Sequence, residues 1–196
     1  MNEQLETLIE DTSYISTPDT PEGRTYRIGV IANNLEGNFI EIGAGTGHTT
    51  EQLLKAAKES GGKVLVIDPW QSDATQPPGY GVYAYDEFWE RVKDYQRHLV
   101  VAKMPSYFKE VGKYLSVNGP YIFAFVDGLQ LRENVLSDLF LMSAYNVKVI
   151  CVDDINRSTP ISQVPEAVEK FLAGNKLYKR VQTRENLIEC YLIRLS

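Results

Sequence analysis

Short apolar runs rich in valine and isoleucine alternate along the chain with segments whose apolar positions recur at helical spacing. The runs are Phe39–Ile42, Lys63–Asp68, Leu99–Lys103, Tyr121–Asp127 and Val147–Asp153. Unbroken apolarity of this length marks a strand buried on both faces, because a sheet covered by helices on each side has no polar face to show. Between the runs, His48–Ser60 sets Leu53, Leu54 and Ala57 on one side and stops at Gly61-Gly62. Asp86–Arg97 does the same with Phe88, Trp89, Val92 and Tyr95, and Leu131–Ala144 with Leu131, Val135, Leu136, Leu139 and Met142. Strands alternating with amphipathic helices predict βαβ units and a parallel sheet. The last third breaks the rhythm. A helix over Pro165–Ala173 is followed by Tyr178–Thr183 and Leu187–Leu195, separated by Arg184-Glu185-Asn186. That spacing predicts an antiparallel hairpin closing the sheet edge.

Two stretches fit no element. Ser16-Thr-Pro-Asp-Thr-Pro-Glu22-Gly23 precedes a short helix through Val30–Asn33, and Pro69–Tyr85 holds Pro77-Pro78-Gly79 with Tyr80, Tyr83 and Tyr85. A connection as long as the second is expected to be either functional or disordered. Length and charge then narrow the function. With 196 residues, one domain is the default. A net charge of −6, from 20 Lys plus Arg against 26 Asp plus Glu, argues against sequence-independent nucleic-acid binding, which needs a basic face. No apolar run approaches the roughly 18 residues of a membrane span. The N-terminus, Met-Asn-Glu-Gln-Leu-Glu, is acidic where a secretory signal would be basic. The expectation is a cytoplasmic protein with neither nucleic acid nor membrane as partner. Cys151 and Cys190 sit inside strand-like runs and read as buried thiols, too few for a structural zinc site.

The sharpest chemical signal is Phe39-Ile-Glu-Ile-Gly-Ala-Gly-Thr-Gly-His48, at the junction of the first strand and helix. Gly43, Gly45 and Gly47 let the backbone turn tightly and approach a ligand. A dinucleotide fingerprint wants its third glycine at position 48, where this chain has His48, and no Lys-Ser/Thr pair completes a P-loop. Glu41 stands two residues before the first glycine. Asp68 ends the second strand, where an acid can accept both hydroxyls of a ribose.

These residues resemble the class I S-adenosylmethionine-dependent methyltransferases, whose first motif is an acid followed by G-x-G-x-G and whose second strand ends in a ribose-binding acid. The resemblance covers nearly the whole chain. Ile67-Asp-Pro-Trp70 and Phe125-Val-Asp-Gly128, followed by Val135-Leu-Ser-Asp138, look like the small-molecule O-methyltransferase branch, which includes the macrocin-type sugar methyltransferases and, more distantly, the catechol type. The resemblance implies a Rossmann-like, doubly wound α/β sheet of seven strands, mostly parallel, with a C-terminal antiparallel hairpin. It implies that residues 37–196 form a single cofactor-binding domain and that residues 1–36, an N-terminal segment and helix, cover the site. It also assigns roles. Gly43, Gly45 and Gly47 line the methionine and ribose portions of the cofactor, with Glu41 near the loop or the amino group. Asp68 holds the ribose, His48 and Asp127 border the cofactor, and Trp70 and Ser106 lie beside the adenine.

A sulfonium methyl is already activated, so the protein must align a nucleophile, exclude water and obtain a deprotonated acceptor. Asp127 ends the fourth strand and Asp153-Asp154 the fifth. Adjacent strand ends of a parallel sheet open onto one crevice, and three hard oxygen donors there suit Mg²⁺. In the metal-dependent branch of the family, acids at these positions bind that ion. Asp127, Asp153 and Asp154 are therefore the candidate metal ligands, and Asp127, Asp153 and Gln130 the candidate catalytic residues. Two departures stand out. The branch carries a His or Lys three positions after the strand-four acid, where this chain has Gln130, which hydrogen-bonds but takes no proton. Ala144-Tyr145-Asn146 replaces the usual glycine pair before strand five. Tyr14, Tyr80 and Tyr83 are candidates for the acceptor pocket. The expected function is methyl transfer from S-adenosylmethionine to a hydroxyl of a small molecule, a sugar or polyhydroxylated metabolite, with Mg²⁺ as a candidate helper. A cofactor-binding module without catalysis and a different nucleotide-binding enzyme, such as a dehydrogenase, are the alternatives; His48 argues against the second. A homo-oligomer is left open.

Overall fold

Alternate residues of β1 (Asn38–Ile42) feed two separate cores: Phe39 packs on one side of the sheet, Ile40 and Ile42 on the other. The same period of two runs through the other interior strands, as a sheet sandwiched between helices requires. The computed structural model describes residues 2–17, 20–71, 80–156, 163–185 and 187–195. The remaining strands are β2 (Val64–Ile67), β3 (Leu99–Ala102), β4 (Tyr121–Val126), β5 (Val149–Val152), β6 (Tyr178–Arg180) and β7 (Cys190–Arg194). They form one sheet in the order β3-β2-β1-β4-β5-β7-β6. The first five are parallel, and β7 runs antiparallel to both of its neighbours. The chain reverses its winding between β1 and β4, so the loop after β1 lies at the topological switch point, where open α/β sheets bind ligands.

One face is covered by α1 (Asn2–Ser13), α2 (Pro21–Asn33), α3 (His48–Ser60) and α4 (Tyr80–Val92), with Ile9, Ile28, Ile31, Leu53, Leu54 and Phe88 completely buried there. The other is covered by α5 (Val111–Asn118), α6 (Arg132–Ala144) and α7 (Val164–Gly174), which contribute Leu115, Leu139 and Phe171. Cys151 and Cys190 are buried free thiols in different cores, on opposite faces of the sheet. Among the described residues, no helix is long and apolar enough to cross a membrane.

The sheet and the helices α3, α6 and α7 fall where the pattern predicts, but five segments differ. The helix expected only through Val30–Asn33 begins at Pro21, with the Thr20 hydroxyl accepting the Gly23 backbone N–H at 3.3 Å as an N-cap. Its buried face includes Arg24 and Arg27 besides Ile28 and Ile31, so it reads as polar in sequence. The elements α1 and α5 are additional. The stretch expected to be irregular up to Tyr85 is helical from Tyr80, and that helix gives way at Lys93–His98 to a 3-10 turn. The C-terminal strands are shorter than expected because Leu187–Glu189 leaves the hairpin. The Ile188 carbonyl accepts from Ile155 N at 2.8 Å and the Leu187 carbonyl from Asn156 Nδ2 at 2.6 Å, tying this stretch to the segment after β5. The replaced glycine pair finds its answer in Asn146, which takes the left-handed φ of +58° that glycine commonly supplies after a helix.

Candidate functional site

The glycine loop leaves β1 with φ of +84° at Gly43, +50° at Gly45 and +83° at Gly47. Gly43 is required for space as well. A Cβ there would lie 2.1 Å from the carbonyl oxygen of Asp127, so the first turn of the loop presses against the end of β4. Asp68 closes the loop from the β2 side. Its Oδ2 accepts the backbone N–H groups of Ala44 (2.8 Å) and Gly45 (3.0 Å), and its Oδ1 accepts that of Trp70 at 2.6 Å. Burial raises the Asp68 pKa above the ordinary carboxylate value, while these three amide bonds favour the charged form. Trp70, itself at φ +46°, returns an indole hydrogen bond to the Gly45 carbonyl at 2.8 Å and packs between Tyr85 and Phe88. Asp68 and Trp70 thus hold the loop from both of its polar edges.

Glu41 is buried at 1% exposure and accepts the Thr50 hydroxyl from α3. Burial pushes its pKa up to about 8, against the lowering effect of that hydrogen bond. His48 opens α3 at the surface; its Nε2 accepts from Arg91 of α4 at 3.0 Å, and Arg91 Nε donates to the Thr46 carbonyl.

Opposite the loop stand the ends of β4 and β5. Asp127 N donates to the Ile42 carbonyl at 2.8 Å and Asp153 N to the Val126 carbonyl at 3.0 Å, which fixes the two strand ends in register. As a result Asp127, Asp153 and Asp154 each bring a carboxylate oxygen within 4.8 Å of the others. Asp154 adopts a φ of +57°, a strained backbone that is concentrated, with Trp70, at this site. The cluster already contains a cation. Arg24 reaches in from α2, donates to Asp153, lies 3.5 Å from Asp127 Oδ2 and rests 5.0 Å over the Phe125 ring. The Gln130 amide donates to Asp154. Burial raises Asp153 to about 6 despite Arg24, and raises Asp127 through burial and the adjacent Asp153 charge. The buried atoms Arg24 Nε and Asp153 Oδ1 have no hydrogen-bond partner among the described residues. The donor set suits a hard divalent ion, but with a guanidinium on Asp153 and beside Asp127 the cluster does not fit an added Mg²⁺.

Loop and cluster line a single cleft of about 800 Å³, within the size range of small-molecule sites. Glu41, Gly43, Gly45, His48, Asp68, Trp70, Asp127, Gln130, Asp153 and Asp154 all border it, and α2 contributes Arg24, Thr25 and Tyr26. Gly47 sits one residue behind, where a Cβ would meet Phe88 at 2.9 Å. Ser106 is not part of this lining: its hydroxyl bonds to the buried carboxyl of Asp138 on α6. Tyr14 is 67% exposed and likewise outside the lining. The Pro77-Pro78-Gly79 turn and the side chains of Tyr80 and Tyr83 lie outside the described residues. Arg24 belongs to no motif and is a site residue that the sequence pattern hides. The signal that finds it is the spacing Arg24-Arg27-Ile28-Ile31, which puts two arginines on the buried stripe of a helix.

A family described as a methyltransferase domain matches residues 40–155, from β1 through the β5 acids. No curated protein matches the sequence. Among solved structures, the TDP-rhamnose 3'-O-methyltransferase CalS11 of calicheamicin biosynthesis superposes with a TM-score of 0.62 at 15% identity, over 100% of this chain and 94% of that one. An SAH-bound methyltransferase from Podospora anserina gives 0.63 at 11% identity, over 98% and 88%. An O-methyltransferase from Bacillus cereus in complex with SAH gives 0.60 at 14% identity, over 100% and 92%.

Proposed function

We propose, from the premise that the chain belongs to the methyltransferase-domain family, that it transfers the methyl group of S-adenosylmethionine to a hydroxyl of a small polar molecule. The observation that carries this reading is the juxtaposition of the left-handed glycine loop with the β4 and β5 carboxylates across one cleft. The cleft's acid-rich walls suit a cofactor whose sulfonium and ammonium groups are both cationic. The structural neighbours CalS11 and the Bacillus cereus enzyme, named as O-methyltransferases, support a hydroxyl acceptor, and CalS11 supports a sugar.

Bound S-adenosylmethionine supplies an electrophilic methyl at sulfur. The chain's own residues supply position, dryness and a proton acceptor. The glycine loop and Glu41 line the methionine side, and Asp68 faces the ribose with the carboxylate capacity left beyond its three amide bonds. Asp127, with a side chain 26% exposed, takes the acceptor's proton. Burial and the adjacent Asp153 charge raise its pKa, which makes the carboxylate a stronger base than an exposed one. Asp153 sustains that shift, and Gln130 holds Asp154 in place. Residues 1–36 act as the cover of the site and 37–196 as the catalytic domain, a division supported by Arg24 and Tyr26 of α2 in the cleft wall. Cytoplasmic residence belongs to the same reading. The test is incubation of the purified protein with methyl-labelled S-adenosylmethionine and a panel of sugars, nucleotide sugars and catechols. Label transfer to a hydroxylated member is expected; transfer only to amines would overturn the acceptor class.

A further inference from the structure

We infer that Arg24 is the resident cation of the β4–β5 carboxylate cluster, and that the docked N-terminal helix keeps divalent ions out of it. Three observations carry this. The Arg24 guanidinium is paired with Asp153 and 3.5 Å from Asp127 Oδ2, where a bridging ion would bind both acids. Arg24 is 9% exposed and stacked over Phe125, so its charge is held inside the protein rather than lent from solvent. The helix that carries it is pinned independently one turn further on. Arg27 forms a completely buried bidentate pair with Glu189, at 2.6 and 2.8 Å, and also donates to Thr17 at 2.7 Å. Withdrawing Arg24 would require either undocking α2 or a rotamer change within a packed site.

The third carboxylate is served separately by Gln130, which donates to Asp154. A lysine or histidine there would have added positive charge; the neutral amide adds none, and among the described residues Arg24 is a cation in direct contact with Asp153 and Asp127. One buried oxygen, Asp153 Oδ1, has no donor among the described residues. It is a ready ligand once the guanidinium is removed. The cluster is therefore a latent divalent site, occupied from within.

The experiment measures ion binding rather than activity. Mn²⁺ binding by electron paramagnetic resonance and thermal unfolding with millimolar Mg²⁺ are recorded for the wild type, Arg24→Met and Arg24→Lys. Methionine keeps the packing over Phe125 without the charge, and Arg24→Gln is the second neutral variant should methionine impair folding. The wild type is expected to bind no Mn²⁺ and to melt at the same temperature with and without Mg²⁺. The neutral variant should bind Mn²⁺ saturably and gain an Mg²⁺-dependent rise in melting temperature, as binding to the folded state alone requires. Arg24→Lys should resemble the wild type, and adding Asp153→Asn to the neutral variant should abolish the gained response. Wild-type protein that binds Mn²⁺ as tightly as the neutral variant would overturn the inference, as would a folded neutral variant that gains nothing. Titration of S-adenosylhomocysteine into the same samples reports on the cofactor reading separately, since the glycine loop is unchanged.

Discussion

Arg27 and Glu189 are 162 positions apart in the chain, yet their side chains meet in a two-bond ion pair from which water is wholly excluded. The pair fastens α2 to the segment entering β7. Removing one partner leaves a buried charge without a counter-charge. Arg27→Met or Glu189→Gln should therefore destabilise the fold by about 3–5 kcal/mol, whereas the double change Arg27→Met/Glu189→Leu should recover most of that loss. Urea unfolding of the three variants checks it; additive losses in the double variant would contradict the pairing.

The glycine loop makes a steric prediction. Gly43→Ala puts a methyl 2.1 Å from a backbone oxygen in a residue at φ +84°. Overpacking and left-handed strain together should cost about 2–5 kcal/mol. Because the atoms it strikes belong to Asp127 and Gly128, the damage should extend to ligand binding, read as a loss of S-adenosylhomocysteine affinity in whatever fraction remains folded.

The parts that were legible in sequence are those in which one residue pattern has one structural outcome. Runs such as Val64–Ile67, short and rich in β-branched residues, read as strands buried on both faces, and five of them separated by helices leave little choice of topology. Once β4 and β5 are neighbours, the convergence of Asp127, Asp153 and Asp154 follows from strand direction. The parts that were not legible depend on what a polar side chain finds after folding. Arg24 and Arg27 read as surface residues until β5 and the segment before β7 supply their acids. Ser106 reads as lining a crevice until α6 offers Asp138. Asp68 reads as a ribose acceptor, and the structure adds that its carboxylate also accepts three of the loop's own amides.

Glu41 makes the fold sensitive to pH. Its pKa rises from the ordinary 4.5 to about 8 on folding, so between those values the folded state holds a proton that the unfolded state releases. That contribution to stability is complete below about pH 4.5 and is lost as the pH climbs to about 8. Glu41→Gln keeps an acceptor for Thr50 and removes the titration. Its stability should fall less steeply than the wild type's across this window and exceed it at the alkaline end, as followed by thermal unfolding at stepped pH. Parallel curves for the two proteins would contradict the shift.

Asp127 is the proton acceptor in the proposed reaction, and its amide tests that role. Asp127→Asn should lower kcat by about 10²–10⁴-fold, the usual contribution of a general base. Affinity for S-adenosylhomocysteine should fall by far less than kcat, because the amide keeps the size and place of a side chain that borders the cofactor and loses only its capacity to take a proton. Unaltered kcat would move the base elsewhere in the cleft.

The account rests most heavily on the cleft being a site for an adenosyl sulfonium cofactor, and calorimetric titration with S-adenosylhomocysteine and with NAD tests this most directly. Saturable, one-to-one binding of S-adenosylhomocysteine is predicted, with no heat from NAD and a loss of about 1.5–3 kcal/mol of binding free energy in Asp68→Ala, the scale of a hydrogen bond to a charged group. Binding of NAD without any response to S-adenosylhomocysteine would contradict it.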